Sequence, residues 1–461
     1  MRETTPPPYD RVVVGGGISG LLAAWRWKRA RPSERVAVLE AGDRPGGVVA
    51  SVVEDGFLIE RAASSLRPGA SAILETIREL GLGDDLLEAA PAARKRWLLH
   101  RGRLVRAPSS PFSLFGTPLL SARAKLRMFK EPWVPRGGAE DESLAGFVAR
   151  RFGEGLVEPT LDAVITGIYA GEPRRLEARA ALSRITELEE RHGSVLRGFW
   201  REARVTQRTT ATRARSRTRR PALFAMRGGM QQIVDRLAAE LGDAVQVDTR
   251  VDRIERVADA DRPAAGALWR VIASPKTFPA RSVLLATPSW VSARLLDRLD
   301  ATLSRELAAI EAANVAVVGI GLRREQVAAD VDGLGFLVPS AEGTPLLGVL
   351  YESSLFPNRA PDGHVLLRAM IGGERLRLPE DPRAVAELAW REASRILGLT
   401  GAPRLLRAFL HRPGIPQYRP GHTARMRRIG ERLSALPGLT LGGWCYRGIA
   451  LDDRAKEART T

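Results

Sequence analysis

The chain has 461 residues, of which 44% are hydrophobic and 27% charged, as in a globular protein large enough for two or three domains. It contains no run of 18 apolar residues, so we predict no transmembrane helix, and we expect no signal peptide because residues 1–8 lack an apolar core. The single cysteine, Cys445, excludes an internal disulfide and a cysteine-rich metal site.

The net charge of +18 comes mainly from arginine, and it is concentrated in residues 201–220, which hold eight arginines and one acid, Glu202. Almost no large apolar residue lies between Thr206 and Arg220, so we predict a flexible basic insertion there. No aromatic residue interleaves with these arginines, so we predict no nucleic-acid partner. Attraction to an anionic membrane surface stays open.

The first elements have the pattern of a dinucleotide-binding unit. A predicted strand, Val12–Val14, runs into Gly15, Gly16, Gly17, Ile18, Ser19 and Gly20, a G-x-G-x-x-G turn that opens a predicted helix. A second apolar strand, Val36–Leu39, ends at Glu40. The glycines permit a tight turn, approach to a pyrophosphate and close helix packing, while the acid accepts hydrogen bonds from a ribose. Because these parts are in register, we predict a nucleotide site rather than a structural turn.

A second glycine-rich loop directly after Glu40 favours FAD over NAD. It holds Arg44, Gly46 and Gly47, and its glycines would let the backbone lie against a longer dinucleotide while Arg44 offers charge to it. The alternative is an ordinary Pro-Gly turn before a predicted strand over Val48–Val53.

Residues 91–200 are predicted to be largely helical. The run Asp141-Glu142-Ser143 is predicted to cap a helix through Phe147, Val148 and Phe152. The segment Phe112–Pro135 mixes large apolar residues with Arg and Lys. This composition fits a surface that touches a membrane, and it fits equally a partly buried helix with snorkelling basic residues.

Strand and helix signals alternate again from residue 222. The pattern predicts a helix over Gln231–Leu241. Predicted strands cover Val245–Val251, Ser282–Pro288, Ala316–Leu322, Gly335–Val338, Leu347–Tyr351, Val365–Ile371 and Leu439–Gly443. The nucleotide-binding fold is thus predicted to be interrupted by insertions and completed by the last strand.

Several further motifs carry a family resemblance. They are Asp141–Leu144, Thr166–Gly171, Gly333–Pro339, Ile415–Tyr418 with Gly421-His422, and Tyr446–Leu451. With the opening glycines, they make the chain resemble the flavin-dependent protoporphyrinogen oxidases of the HemY type, in their bacterial branch, within the flavin amine oxidase superfamily. The Thr166–Gly171 run and Pro416-Gln417-Tyr418 are the more specific marks.

The resemblance implies an α/β fold: an FAD-binding Rossmann-like domain, an inserted α+β substrate domain and a helical membrane-associated domain. We assign residues 1–90, 221–300 and 411–461 to the first, 301–410 to the second, 91–200 to the third, and 201–220 to the basic insertion. The implied location is cytoplasmic, peripheral on the cytoplasmic face of the membrane, and a homodimer is left open.

The implied reaction is the six-electron oxidation of protoporphyrinogen IX to protoporphyrin IX in heme biosynthesis. Molecular oxygen would be the acceptor and hydrogen peroxide a product. The flavin carries this chemistry, so we assign no catalytic side chain, and the five scattered histidines have no metal-site spacing.

The site residues follow from the two glycine loops and from the resemblance. The predicted FAD contacts are Gly15, Gly16, Gly17, Ile18, Ser19, Gly20, Glu40, Ala41, Arg44, Gly46, Gly47, Val48, Ala62, Ala63, Ser64, Ser65, Val251, Trp444, Ile449, Ala450 and Leu451. The predicted substrate contacts are Arg96, Gly167, Leu334, Gly335, Leu337, Leu350 and Met370. Arg96 is suited to gripping a propionate of the tetrapyrrole, although it is also one of several neighbouring basic residues.

Two departures from the family pattern bear on activity. Ala62-Ala63 stands where the family usually has Gly-Pro, and only residues 452–461 remain for a closing helix that is usually longer. These residues include no large apolar side chain, so we expect a marginal helix and weaker FAD binding. The alternatives are a coproporphyrinogen III oxidase, a flavin amine oxidase or desaturase, and a non-catalytic porphyrin- or flavin-binding relative.

Overall fold

A computed structural model describes residues 7–108, 113, 116–211, 223–258 and 266–460, without the side chains of residues 159 and 205–211. The strands are Tyr9–Val14, Val36–Leu39, Ser51–Glu54, Phe57–Glu60, Leu86–Glu88, Trp97–His100, Arg103–Arg106, Phe224–Met226, Val245–Gln246, Arg253–Arg256, Trp269–Ala273, Lys276–Leu285, Ala312–Arg323, Gly335–Leu337, Leu346–Leu350, His364–Gly372, Leu405–Pro416 and Leu439–Leu441. The α-helices are Ile18–Ala30, Ser71–Glu79, Ala122–Phe129, Leu144–Phe152, Ala163–Tyr169, Ala178–Ala181, Ser183–His192, Val195–Ala211, Gln231–Leu241, Ser289–Leu296, Ala301–Ala308, Glu352–Leu355, Pro382–Leu397, His422–Ser434 and Leu451–Thr460.

The first of two seven-stranded sheets is built around the strand Tyr9–Val14. This strand is parallel to Val36–Leu39 on one side and to Lys276–Leu285 on the other, and Leu439–Leu441 adds a further parallel strand. The helix Ile18–Ala30 follows the first strand directly, and its apolar residues are buried in the core against the helix Gln231–Leu241. The predicted β-α-β opening is therefore present, and it is closed by strands from much later in the chain.

The second sheet is largely antiparallel, and the helix Pro382–Leu397 packs against it. Its edge corrects one prediction, because Trp97–His100 and Arg103–Arg106 lie within the segment that we expected to be helical. Trp97 and Leu98 pair in parallel with Phe336 and Leu337. The buried Leu98 and Leu99 thus extend this sheet instead of forming a helix.

The structure also changes the basic insertion predicted for residues 201–220. Residues 201–211 continue the helix Val195–Ala211, and residues 212–220 lie outside the described part of the chain. The start of this helix is capped, since the Ser194 hydroxyl accepts from the N–H of Arg197 and the Glu131 carboxylate accepts from the N–H of Val195. A well-capped first turn favours continuation through arginine, which is a good helix former.

The closing helix, Leu451–Thr460, is packed rather than marginal, so this expectation was wrong. It lies against the helices Ile18–Ala30 and Ser71–Glu79, with Ala455 and Ala458 in the core. The buried Asp452 carboxylate accepts from the backbone N–H groups of Ala72 and Ile73, at 2.9 and 3.1 Å. It therefore satisfies the free donors at the start of another helix, and this contact stands in for large apolar side chains. The weaker FAD binding stays a prediction.

Other predicted elements are shifted or confirmed. The helix Gln231–Leu241 has the predicted bounds, and Ser143 caps Leu144–Phe152 by accepting from the N–H of Gly146. The strand predicted for Val245–Val251 is only Val245–Gln246. Across the described ranges, no helix combines the length and the apolar character needed to cross a membrane.

Candidate functional site

A cavity of about 830 Å³ joins the two sheets. Gly15, Gly17 and Glu40 line it from the first sheet, and Val317 and Met370 line it from the second. Its size is that of a pocket for a cofactor or a drug-sized ligand. The nucleotide motif and Met370, one of the predicted substrate contacts, therefore open into the same space.

Seventeen of the predicted cofactor contacts line this cavity. They are Gly15, Gly17, Ile18, Ser19, Glu40, Ala41, Gly46, Gly47, Val48, Ala62, Ala63, Ser65, Val251, Trp444, Ile449, Ala450 and Leu451. The other four, Gly16, Gly20, Arg44 and Ser64, are not among its lining residues. The wall is thus assembled from five separate segments of the chain.

The three motif glycines meet different steric demands. A Cβ on Gly20 would lie 2.1 Å from the Gly15 carbonyl oxygen, and one on Gly15, which has φ +106°, would lie 2.9 Å from the Ala286 carbonyl oxygen. A Cβ on Gly17 would have no neighbour within 4 Å. Gly15 and Gly20 are therefore required by the turn itself, whereas Gly17 keeps its backbone open to a ligand.

The Glu40 carboxylate is fixed at the end of its strand by two backbone donors. Its Oε2 accepts from the N–H of Gly16 at 2.8 Å, and its Oε1 accepts from the N–H of Gly42 at 2.9 Å. A carboxylate has about four acceptor sites, so sites remain for ligand hydroxyls. Arg44 is used differently from our expectation: it donates to the carbonyls of Pro45 and Gly47 and so braces its own loop.

The predicted substrate contacts gather around one part of the second sheet. Gly335 pairs with Leu350, Leu337 pairs with Gly348, and a Cβ on Gly167 would touch the Leu337 side chain. Arg96 is exposed and immediately precedes the strand Trp97–His100, while Leu334 is half-buried beside it. Of the seven, all within the described chain, Met370 alone lines the cavity, and Ile168 lines it next to Gly167.

Comparisons with known proteins agree with this geometry. The model of the family described as flavin containing amine oxidoreductase matches residues 18–443. Protoporphyrinogen oxidase from Bos taurus is 32% identical over 97% of this chain and 96% of its own length. The chain belongs to the protoporphyrinogen oxidases within the flavin containing amine oxidoreductases. The chloroplastic protoporphyrinogen oxidase of Nicotiana tabacum is 30% identical over 96% of this chain and 82% of its own length.

Solved structures show that the fold is shared as well. The crystal structure of a candidate protoporphyrinogen oxidase from Exiguobacterium sp. 255-15 superposes with a TM-score of 0.80 at 25% identity, covering 98% of this chain and 97% of the other. Reduced UDP-galactopyranose mutase, at 15% identity and a TM-score of 0.71, shares the fold. The molecule thus has the mixed α/β fold of FAD-dependent amine oxidases.

FAD is the cofactor of this protoporphyrinogen oxidase family member, and the residues present fit it. The open backbone at Gly17 leaves room for a pyrophosphate, and Gly46 donates to the Gly16 carbonyl at 2.8 Å, which sets the second loop against the first. Glu40 retains acceptor sites at the same wall. Trp444 and Ile449–Leu451 complete the cavity from the far end of the chain.

The two family-specific motifs contact each other, and Ile168 of the first motif also lines the cavity. Gln417 donates through Nε2 to the Tyr169 carbonyl at 2.7 Å, and the rings of Tyr169 and Tyr418 are 5.8 Å apart. The Tyr418 ring also stacks on His422, 4.4 Å away, and burial lowers the pKa of His422 to about 4. His422 is therefore neutral and structural, and the motifs tie the helical segment to the two sheets.

Sequence reasoning missed several polar residues of the cavity wall, among them Arg368 and His411. Arg368 is only 5% exposed. It lies two residues before Met370 on one strand, and because side chains alternate, a signal for it was present once Met370 had been chosen. His411 has a pKa below its ordinary value because it is buried, and its Nε2–H donates to the Arg61 carbonyl at 2.8 Å.

In the described residues, no cluster of three His, Cys, Asp or Glu could hold a metal.

Proposed function

We propose that the chain oxidises protoporphyrinogen IX to protoporphyrin IX with bound FAD, as a step of heme biosynthesis. The supporting observation is the single cavity that joins the dinucleotide motif to the second sheet. When bound, FAD supplies the electron acceptance that no side chain provides. The relatives named protoporphyrinogen oxidase from animals and plants support the same substrate class.

The side chains would bind, orient and shield the substrate. Val315, Val317 and Met370 offer an apolar wall that suits a large flat ring and excludes water. Arg96, just before the strand Trp97–His100, is the proposed partner of one propionate, and an arginine can hold a carboxylate through two parallel hydrogen bonds. Gly167, Leu334, Gly335, Leu337 and Leu350 would shape the approach to this wall.

A kinetic comparison of two neighbouring arginines tests this proposal. Arg94 is exposed like Arg96 but lies two residues earlier, at the end of the short helix Pro91–Arg94, so Arg94→Met is a matched control for Arg96→Met. We expect porphyrin fluorescence to appear when the FAD-loaded protein receives protoporphyrinogen IX. Arg96→Met should raise KM about tenfold, roughly 1.4 kcal/mol of lost substrate binding, while Arg94→Met stays near wild type.

The same assay decides between the alternatives. Faster turnover of coproporphyrinogen III would replace the proposed substrate, and oxidation of amines without porphyrin formation would point to an amine oxidase. A protein that binds porphyrin and shows no flavin absorbance would be a carrier. Equal KM values for the two arginine variants would remove Arg96 from the site. Use of oxygen, release of peroxide and a homodimer remain proposals, which peroxide detection and a measured molar mass would test.

We also propose that the segment around residues 122–133 touches a membrane surface. The helix Ala122–Phe129 buries none of its side chains, and Leu126, Phe129 and Trp133 are 64%, 54% and 76% exposed. Arg123 and Lys130 are exposed beside them. Apolar and basic side chains on one exposed helix are typical of an interfacial segment and argue against the partly buried alternative. Residues 112, 114 and 115 of the predicted segment lie outside the described chain.

Vesicle binding measures this contact. The double variant Phe129→Ala/Trp133→Ala should lower binding to phosphatidylserine-containing vesicles about tenfold, because it removes apolar area that would enter the interface. Val53→Ala, which truncates a 70% exposed valine elsewhere, is the control and should bind as wild type does. Wild-type binding by the double variant, or no binding by the wild type, would contradict the proposal.

A further inference from the structure

The segment Ala62–Ser65 forms part of the cavity wall and is held by one buried arginine. Ala62, Ala63 and Ser65 line the cavity, and no regular helix or strand includes them. Arg368 donates through Nη1 to the Ala62 carbonyl at 2.6 Å and through Nη2 to the Ser64 hydroxyl at 3.1 Å. The guanidinium of Arg368 therefore bridges two residues of the segment Ala62–Ser65.

Arg368 is itself fixed by a buried partner. Its Nε donates to Glu352 Oε1 at 2.9 Å, and the two side chains are 6% and 2% exposed. A guanidinium is a rigid planar fork, so three contacts in different directions define its orientation. The Arg368 side chain thus fixes the segment Ala62–Ser65 relative to the strand His364–Gly372.

A contribution to folding stability does not by itself explain why a charged residue is buried at position 368. The residues around Arg368 on its strand are apolar, and Leu366, Leu367 and Ala369 are buried. A buried ion pair contributes no more to stability than well-packed apolar residues of the same volume. Arg368 also faces the cavity, where its positive charge acts on a bound ligand. These observations point to a role in the site.

The sequence of the segment Ala62–Ser65 makes its conformation dependent on hydrogen bonds such as those from Arg368. Ala62-Ala63 lacks the restriction that proline would impose on the backbone. The segment starts after Glu60, whose carboxylate accepts from the Met230 N–H at 2.9 Å and lies 3.5 Å from the buried Arg359. Burial, the largest influence, raises the pKa of Glu60 to about 7. His411 then holds the Arg61 carbonyl, and Arg368 supplies the contacts at Ala62 and Ser64.

We propose that Arg368 is a positioning residue for FAD: its fork holds the Ala62–Ser65 wall in place, and its charge favours the more negative state of the bound flavin. The proposal rests on FAD binding, goes beyond the proposed oxidation, and needs no porphyrinogen for its test. Glu352 contributes by keeping the fork oriented.

The test compares conservative changes at two buried arginines. Lysine keeps the charge but cannot span the Ala62 carbonyl and the Ser64 hydroxyl. Arg151 also pairs with a buried glutamate, Glu131, and is not among the residues lining the cavity, so Arg151→Lys reports the effect of a disturbed buried pair alone. FAD affinity is measured from the flavin fluorescence released when holoenzyme is diluted, and the flavin reduction potential is measured with a dye couple.

Arg368→Lys should weaken FAD binding about tenfold and keep the reduction potential, whereas Arg151→Lys should leave both near wild type. The double variant Arg368→Met/Glu352→Gln, which leaves no buried charge unpaired, should weaken FAD binding and lower the potential. Wild-type FAD affinity in Arg368→Lys, an equal loss in Arg151→Lys, or an unchanged potential in the double variant would overturn the proposal. Failure of porphyrinogen oxidation with these FAD results intact would bear only on the proposed function.

Discussion

Gly17→Ala is expected to leave the unliganded protein as stable as the wild type and to weaken FAD binding by about a hundredfold, close to 2.7 kcal/mol. Gly17 has φ −67°, which alanine adopts readily, and its added Cβ would have no protein atom within 4 Å. The methyl group would project into the space that a pyrophosphate needs. Thermal unfolding without FAD and a fluorescence titration with FAD measure the two effects.

Gly20→Ala is the matched comparison. Its Cβ would meet the Gly15 carbonyl oxygen at 2.1 Å, and a backbone atom at that distance cannot move aside cheaply. This variant should therefore lose stability before any ligand is added. If Gly17→Ala bound FAD normally, or lost as much stability as Gly20→Ala, the assignment of the open backbone to the cofactor would fail.

Glu131→Gln should destabilise the protein by about 3–5 kcal/mol, because it removes one charge of a fully buried pair. Glu131 and Arg151 both have 0% exposed side chains. The Glu131 carboxylate also accepts from the N–H groups of Val195 and Leu196, at 2.9 and 3.2 Å, at the start of the helix Val195–Ala211. The variant would therefore also weaken the cap of that helix.

The stability difference between wild type and Glu131→Gln should depend on pH in a defined direction. Burial alone would raise the pKa of Glu131, but hydrogen bonds from Ser194, Arg151 and the Val195 N–H together hold it below its ordinary value of 4.5. A carboxyl whose pKa is lowered by folding adds stability above its ordinary pKa and loses it as the pH falls. The gap between wild type and variant, measured by urea unfolding, should narrow below pH 4.5.

An exposed ion pair serves as the control for Glu131→Gln. Glu154 pairs with Arg174, and their side chains are 59% and 61% exposed, so Glu154→Gln should change stability very little. Equal effects of the two substitutions, or a gap that widens in acid, would contradict the role given to Glu131.

The parts of the fold that could be predicted are those whose determinants are adjacent in sequence. The β-α-β opening, the Ser143 cap and the helix Gln231–Leu241 depend on patterns within a few turns of chain. The strand Trp97–His100 has a local hairpin partner, Arg103–Arg106, but its place in the second sheet could not be predicted in this way, because Gly335–Leu337 lies more than 200 residues away. Its four residues are too few to show a period.

The site residues also divide into those that a local sequence pattern predicts and those that only the folded chain brings together. The spacing of the glycines and Glu40 predicted their role in the site. The family resemblance predicted Ala62, Ser65 and Ile449–Leu451, which line the same cavity. Arg368 was missed because an isolated basic residue on an apolar strand has no motif, and His411 was missed because it is one of three basic residues on its strand and belongs to no motif. Their importance depends on the carbonyls of Ala62 and Arg61, which only the folded chain brings to them.

The clasp between Asp452 and the N–H groups of Ala72 and Ile73 has a consequence for biogenesis. Trp444 and Ile449–Leu451, just before that clasp, line the same cavity as Gly15 and Gly17–Ser19. A nascent chain that has emerged only as far as its glycine turns has half of a cofactor site. The complete cavity therefore forms only once the closing helix is docked, and we expect full FAD affinity only in chains that carry this helix.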